Sequence, residues 1–462
     1  MNQITAGMFT TTTLLSMFHG RLPSDLVPGG VGYLSHHDDR YFEWLERRDV
    51  SLVDLLKLAG FEVRLHHHLD FLLRMILGFR ASNPVEEFEE ALKVDDRYSH
   101  VSLSGWSADR AKLDVFSEYG DKAARDKFYS KEAEYIKQLQ AEKCEGNLFF
   151  VTQQQDWHDA WYTKDKRALP RARERAEQWL SQWDFDEPDA VFWVFSDHGY
   201  QVQDDITPKD TLAWVLYRDN TAVPLQPARL LISSMDFYAT ILHKAGLQKY
   251  GEDAHDSVSI HLPATNAKRA RIFLGEDSRV KSDARFACSS VVSCLSSWPD
   301  QNRQEEAEGT GVPASVGPDK EDSSTLLMLV YHAHHGTIRG YSYDFFHENP
   351  YAYDIIDVKD LVARAREAQT DLQQQKDWEA LFQALQTRFS WCQSSKVQHA
   401  IEALEGSDAG TEVHGQRDGP GRSSAVKDDS GSNARGIALV SWKSLGDACH
   451  NRLLSCSRSC RS

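Results

Sequence analysis

The segment AVFWVFSDHGYQ (190–201) constrains the fold more than any other part of the sequence. Residues 191–195 are all β-branched or aromatic, and none is polar. Such a run is typical of a strand buried on both faces, as in parallel sheets flanked by helices. Ligands of these sheets bind beyond the carboxyl ends of the strands, where Asp197, His198 and Gly199 follow. We therefore expect Asp197 and His198 either to bind a metal ion or to form an ordinary turn.

Helical and strand patterns alternate along the chain up to about residue 280. Apolar residues recur at helical spacing in SLVDLLKLAGFEV (51–63), in ALPRARERAEQWLSQW (168–183) and in the second half of RLLISSMDFYATILHKAGL (229–247). Each of these helical patterns adjoins a short apolar run that is typical of a strand. The alternation predicts an α/β fold with a mostly parallel central sheet sandwiched by helices, followed by a small C-terminal α+β portion.

Changes in composition divide the sequence into four parts. Residues 1–295 carry the alternating pattern, and 325–392 contain two apolar runs and a helical segment, which form the α+β portion. Residues 296–324 are polar and rich in Gly and Pro, and they are too many for an ordinary loop. Residues 393–462 lose periodicity and fill with Ser, Gly, Asp and Arg. We expect 296–324 to be a disordered insertion and 393–462 to be a disordered tail.

Charge and hydropathy narrow the classes of partner. The net charge of −17 argues against nucleic acid, because the chain would repel phosphate. No apolar run is long enough to span a bilayer, and the first residues lack the basic-then-apolar pattern of a signal peptide. The location in the cell is therefore not predicted. The seven Cys include no CxxC pair, so neither a zinc ribbon nor a disulfide framework is indicated.

A row of four hydroxyl residues, Thr10 to Thr13, precedes a short helical pattern in TTTTLLSMFHGRLP (10–23). Ser and Thr commonly cap helices, because their oxygens accept hydrogen bonds from the free amides of the first turn. A helix N-terminus behind a Thr hydroxyl also suits an anionic ester and an alkoxide nucleophile. Both interpretations stay open on this segment alone.

Taken in order, these segments resemble the sulfatase branch of the alkaline phosphatase superfamily. Thr10 occupies the family's nucleophile slot, Ser196–Gly199 match its metal-binding S-D-H-G, and YAYDI (351–355) is similar to its late LYDL segment. The resemblance implies that Thr10, Asp197 and His198 bind a divalent metal ion. It further implies a site in which Lys209 binds the ester oxygens, His158 protonates the leaving group and Thr10 attacks.

Two departures from the family qualify what the resemblance implies. The family supplies carboxylate ligands from a strand well before the nucleophile, and Thr10 stands too close to Met1 for that strand. Either the chain is truncated or the site lacks one side of its metal shell. Thr10 also replaces the Cys that becomes formylglycine, which favours phosphoryl over sulfuryl transfer.

We expect a metal-dependent hydrolase of small-molecule or glycan sulfate or phosphate esters, or an inactive relative. The resemblance to the family implies Ca²⁺ as the metal ion, whereas a ligand set of one Asp, one His and one Thr favours Mn²⁺ or Zn²⁺.

Overall fold

A computed structural model describes residues 1–8, 10–26, 50–66, 101–102, 130, 133–134, 136–138, 141, 146–154, 168–199, 206–224, 231–250, 256–262, 271–277, 289–296, 325–332, 337–344, 353–357, 372–389, 398–399, 402 and 437–443. The strands are β1 (Asn2–Ile4), β2 (Glu62–His66), β3 (Val101–Ser102), β4 (Leu148–Gln154), β5 (Ala190–Phe195), β6 (Leu212–Asp219), β7 (Leu231–Ser233), β8 (Phe273–Asp277), β9 (Ser289–Ser296), β10 (Thr325–His332), β11 (Thr337–Asp344), β12 (Asp354–Asp357) and β13 (Ile437–Lys443). The helices are α1 (Thr10–His19), α2 (Pro23–Leu26), α3 (Leu52–Leu58), α4 (Ala168–Leu180), α5 (Pro208–Thr211), α6 (Asp236–Lys244) and α7 (Leu372–Arg388).

The main sheet has eight strands in the order β3-β2-β4-β13-β5-β6-β1-β7. Only the pairs β2·β3, β2·β4 and β1·β7 are parallel. The pairs β13·β4, β13·β5, β5·β6 and β1·β6 are antiparallel. The prediction of a mostly parallel central sheet is therefore wrong, and the sheet is mixed.

The antiparallel direction of β6 explains why the apolar pattern of β5 led to the wrong prediction of a parallel sheet. Beyond the end of β5, the amide of Ser196 donates to Trp214 O at 3.0 Å and the amide of Gly199 donates to Asp210 O at 3.0 Å. The chain therefore turns back beside β5 as in a hairpin, and an antiparallel neighbour needs no crossover helix. An all-apolar run indicates burial on both faces, but it carries no information on strand direction.

Helices lie on both faces of the main sheet. On one face, Phe237 of α6 packs edge-on against Trp193 of β5, with ring centroids 5.4 Å apart, and against Phe18 of α1 at 6.1 Å. On the other face, Trp179 of α4 packs against the opposite side of β5. Both faces of β5 are thus covered, which explains its lack of polar residues. The β5 side chains that face α6 are Val191, Trp193 and Phe195, and the β5 side chains that face α4 are Ala190, Phe192 and Val194.

The second sheet has five antiparallel strands in the order β12-β11-β10-β9-β8, with α7 packed on it. It takes β8 and β9 from before the predicted insertion and β10 to β12 from after it. Residues 297–324 lie outside the described part. Within 393–462, the range predicted to be a disordered tail, the structure describes 398–399, 402 and 437–443. The two sheets meet where Glu276 N of β8 donates to Ala6 O, just after β1, at 3.0 Å.

Candidate functional site

The turn that follows β5 is held by close backbone packing. Asp197 is buried, with 4% of its surface exposed, and Gly199 lies directly against α5. A Cβ atom at Gly199 would stand 2.0 Å from Lys209 O and 2.8 Å from Asp210 O. Real Cβ atoms do not approach backbone that closely, so only glycine fits. The sequence DHG thus forms a turn whose shape is set by the start of β6.

Thr10, which lies near the N-terminus, contacts this turn. It is the first residue of α1, and its Oγ1 donates a 2.5 Å hydrogen bond to Asp197 Oδ2. The approach of α1 to β1 also depends on Gly7, where a Cβ atom would lie 2.3 Å from Thr12 Oγ1. The structure therefore brings Thr10 and Asp197 together.

Two buried hydroxyls fix the segment between β1 and α1. Thr13 Oγ1 donates to Gly7 O at 2.7 Å, and Thr5 Oγ1 lies 3.0 Å from Thr13 Oγ1. Thr5 Oγ1 also lies 3.0 Å from the carbonyl oxygen of Asp197. This network ties the backbone of Asp197 to the loop that precedes Thr10. Sequence reasoning did not find Thr5, because only the folded chain brings it to Asp197.

His198 points one ring nitrogen at the backbone and the other at the site. Nδ1 lies 2.8 Å from Gly199 O, and a carbonyl oxygen can only accept, so Nδ1 carries a proton. Nε2 lies 3.6 Å from Asp197 Oδ2. Metal-binding histidines usually donate one N–H to a carbonyl in this way, which leaves the other nitrogen for the metal.

The donors at this point fit a divalent metal ion with few protein ligands. Within the described residues, Asp197 Oδ1 is buried and has no hydrogen-bond partner. A buried carboxylate oxygen of this kind is costly unless a cation or donor meets it. The donor set is Asp197, His198 Nε2 and Thr10 Oγ1. No group of three or more His, Cys, Asp or Glu side chains that could hold a metal is found in the described part of the chain.

Of the other two predicted site residues, Lys209 and His158, the structure describes Lys209. Lys209 is half-buried, its carbonyl packs on Gly199, and its Nζ lies 5.7 Å from the centroid of the Tyr353 ring. His158 falls outside the described residues.

Glu276 and Asp236 are among the buried carboxyl groups that lie outside this donor set. Glu276 is 1% exposed and binds Ser24 of α2. Asp236, at the start of α6, is 0% exposed and pairs with Arg271 through both carboxylate oxygens, at 2.5 and 2.6 Å. Asp236 also accepts from the amides of Ser233 and Val258, so this carboxylate is fully bonded and has a structural role.

Comparison of the sequence with known protein families and with curated proteins gives no match. Among the helices that the structure describes, none is both long and apolar enough to cross a membrane.

Proposed function

We propose that this chain is a metal-dependent hydrolase of sulfate or phosphate esters, with Thr10 as nucleophile and with Asp197 and His198 as metal ligands. The observation that carries the proposal is the 2.5 Å hydrogen bond from Thr10 Oγ1 to Asp197 Oδ2. It joins the first residue of α1 to the turn that follows β5, across 187 positions of sequence. A hydroxyl bonded to a buried carboxylate is the arrangement that activates a nucleophile.

The free donor atoms support the metal part of the proposal. Asp197 would bind the ion through Oδ1, which has no hydrogen-bond partner within the described residues, and His198 would bind it through Nε2. One carboxylate, one imidazole and one hydroxyl suit Mn²⁺ or Zn²⁺ better than Ca²⁺, which takes six or more oxygen ligands. When bound, the ion would neutralise charge on the ester oxygens and on the ionised Thr10 oxygen.

The residues of the chain account for the bond changes. Thr10 Oγ1 attacks sulfur or phosphorus, and its proton moves along the existing hydrogen bond to Asp197 Oδ2. The bond from sulfur or phosphorus to the leaving oxygen breaks, and that oxygen takes a proton, a role we assign to His158. Water then cleaves the ester on Thr10 and restores the hydroxyl. The first-turn amides of α1 favour the negative charge of the substrate at this end of the helix.

The small number of ligands supports a second candidate function. No group of three or more His, Cys, Asp or Glu side chains able to hold a metal is found in the described residues, and Asp197 alone among the three proposed ligands brings a full negative charge. A site of this kind binds metal weakly. The alternative is a catalytically inactive protein with a sulfatase-like site, retained for binding or structure.

The test is hydrolysis of p-nitrophenyl sulfate and p-nitrophenyl phosphate, titrated with Ca²⁺, Mn²⁺ and Zn²⁺. We expect low turnover that rises with Mn²⁺ or Zn²⁺ and is lost in Thr10→Val and Asp197→Asn. Matched controls are Thr387→Val on the exposed side of α7 and Asp186→Asn on the surface, which should keep the parent rate. Turnover that survives both chelation and Asp197→Asn would refute the metal mechanism. Metal binding without turnover would favour the inactive alternative.

A further inference from the structure

We propose that Tyr353 is a positioning residue for Lys209, so that the five-stranded sheet orients the ammonium group of the candidate site. This inference rests on the proposed ester hydrolase and on the binding of the ester oxygens that the sulfatase resemblance implies for Lys209. Tyr353 immediately precedes β12, whereas Lys209 lies in α5 beside the Asp197 turn. The contact therefore links the second sheet to the site on the main sheet.

The geometry is that of a cation–π contact. Lys209 Nζ lies 5.7 Å from the centroid of the Tyr353 ring. Ammonium groups within about 6 Å of an aromatic centroid are attracted by the negative face of the ring. Both residues are half-buried, which weakens competition from water. The ring thus restricts the four-carbon side chain of Lys209.

The Tyr353 ring is itself held in place. It packs edge-on against Tyr341 of β11, with ring centroids 5.7 Å apart. Tyr341 is buried, and its hydroxyl oxygen lies 3.4 Å from Nε2 of buried His332 in β10. Tyr353 also packs against the apolar cluster that contains Met8, two residues before Thr10. A ring fixed in this way can orient a partner.

Lys209 is therefore constrained at both ends. Its carbonyl packs against Gly199 of the DHG turn, and its ammonium group lies over Tyr353. Close packing of the two sheets supports this arrangement, since a Cβ atom at Gly275 of β8 would lie 2.9 Å from Thr5 O. The same second sheet that carries Tyr353 thus packs against the loop before Thr10.

The first test asks whether Tyr353 orients Lys209, without relying on activity. Lysines are reductively ¹³C-methylated, and the Lys209 signal is assigned by its loss in Lys209→Met. A methyl group over an aromatic face is shifted upfield by the ring current. We expect Tyr353→Phe to keep this shift, because the ring remains, and Tyr353→Leu to remove it. An unchanged Lys209 signal in Tyr353→Leu would overturn the proposal.

The second test connects the contact to anion binding. Inorganic phosphate is titrated calorimetrically into the Mn²⁺-loaded chain. We expect Tyr353→Leu to weaken binding about 2- to 5-fold, the range of a single exposed cation–π contact, and Tyr353→Phe to bind like the parent. In the Lys209→Met background, Tyr353→Leu should have no further effect.

The outcomes separate this inference from the proposed function. If Tyr353→Leu weakens phosphate binding equally with and without Lys209, the tyrosine acts through general packing and the proposal is wrong. If the parent binds no phosphate, the proposed ester hydrolase fails at this step. In that case the Lys209 ring-current shift still decides whether Tyr353 orients the ammonium group.

Discussion

Ser24 donates two hydrogen bonds to Glu276, one from its amide to Oε2 at 2.9 Å and one from its hydroxyl to Oε1. The pKa of Glu276 is raised to about 8, mainly by burial and also by the charge of nearby Asp25. The two Ser24 donors and the charge of Arg388 act in the opposite direction. Arg388 is shared, because it also pairs with Asp25 and Asp256. The folded chain therefore holds the Glu276 proton more tightly than the unfolded chain does.

Glu276 should make the free energy of unfolding depend on pH. Its folded pKa of about 8 lies above the usual glutamate value of 4.5, so its stabilising contribution is complete below pH 4.5. That contribution is lost as pH rises through about 8, with a slope of at most about 1.4 kcal/mol per pH unit. Glu276→Gln stays neutral and should remove this component.

The measurement is urea denaturation of the parent and of Glu276→Gln at a series of pH values from about 6 to 9. The difference in unfolding free energy between the two should change with pH in favour of the variant as pH rises. Glu174→Gln, on the exposed face of α4, is the matched control and should follow the parent. Parallel curves for the parent and Glu276→Gln would contradict the prediction.

Gly199→Ala should damage the site as well as the fold. The new methyl group would meet the carbonyl oxygens of Lys209, Asp210 and Leu212, all of them backbone. Overpacking of this kind typically costs about 1–3 kcal/mol. Because His198 Nδ1 bonds to Gly199 O, the displacement should also turn the imidazole away from Asp197.

Thermal unfolding and Mn²⁺ binding together test this change. Gly146→Ala is the control, since a Cβ atom there has nothing within 4 Å. We expect Gly199→Ala to lower both Tm and Mn²⁺ affinity, and Gly146→Ala to change neither. A Gly199→Ala variant with the parent's Tm would show that the turn is looser than the close contacts indicate.

The local parts of the site could be predicted from sequence. The buried strand β5, the DHG turn after it and the start of a helix at the threonine row follow from residue type and spacing. These features depend on neighbours in sequence. Their convergence was an expectation of the resemblance, and the structure brings Thr10 to within 2.5 Å of Asp197.

Features that depend on distant parts of the chain could not be predicted. The apolar residues of β5 give no sign that β6 and β13 run antiparallel to it. The strand β13 lies in a tail rich in Ser and Gly, whose composition indicates disorder. The contacts of Thr5 with Asp197 and of Tyr353 with Lys209 join residues more than a hundred positions apart. Only the folded backbone brings such pairs together.

Breaking the buried ion pair of Asp236 should cost far more than breaking an exposed one. Arg271→Met would leave a carboxylate that is 0% exposed without its charged partner, which typically costs about 3–5 kcal/mol. Adding Asp236→Asn removes the stranded charge, so the double variant should be more stable than the sum of the single effects predicts. The control is Arg173→Met, which breaks an exposed pair with Glu177 and should cost less than about 1 kcal/mol. Additive losses in urea denaturation would contradict the coupling.

The rise in Tm caused by metal ions should show whether the ions bind at the proposed ligands or at the acidic surface in general. A ligand that binds only the folded chain raises its stability in proportion to the logarithm of ligand concentration over Kd. We therefore expect Mn²⁺ or Zn²⁺ to raise Tm more than Ca²⁺ at equal concentration, because the site offers one imidazole and one carboxylate. Asp197→Asn should remove this difference, since the amide lacks the charge that Oδ1 would bring to the ion. Asp186→Asn alters an exposed carboxylate and should keep the difference. Equal shifts for Ca²⁺ and Mn²⁺, unchanged in Asp197→Asn, would mean that the ions act on the general negative charge and that Asp197 and His198 hold none of them.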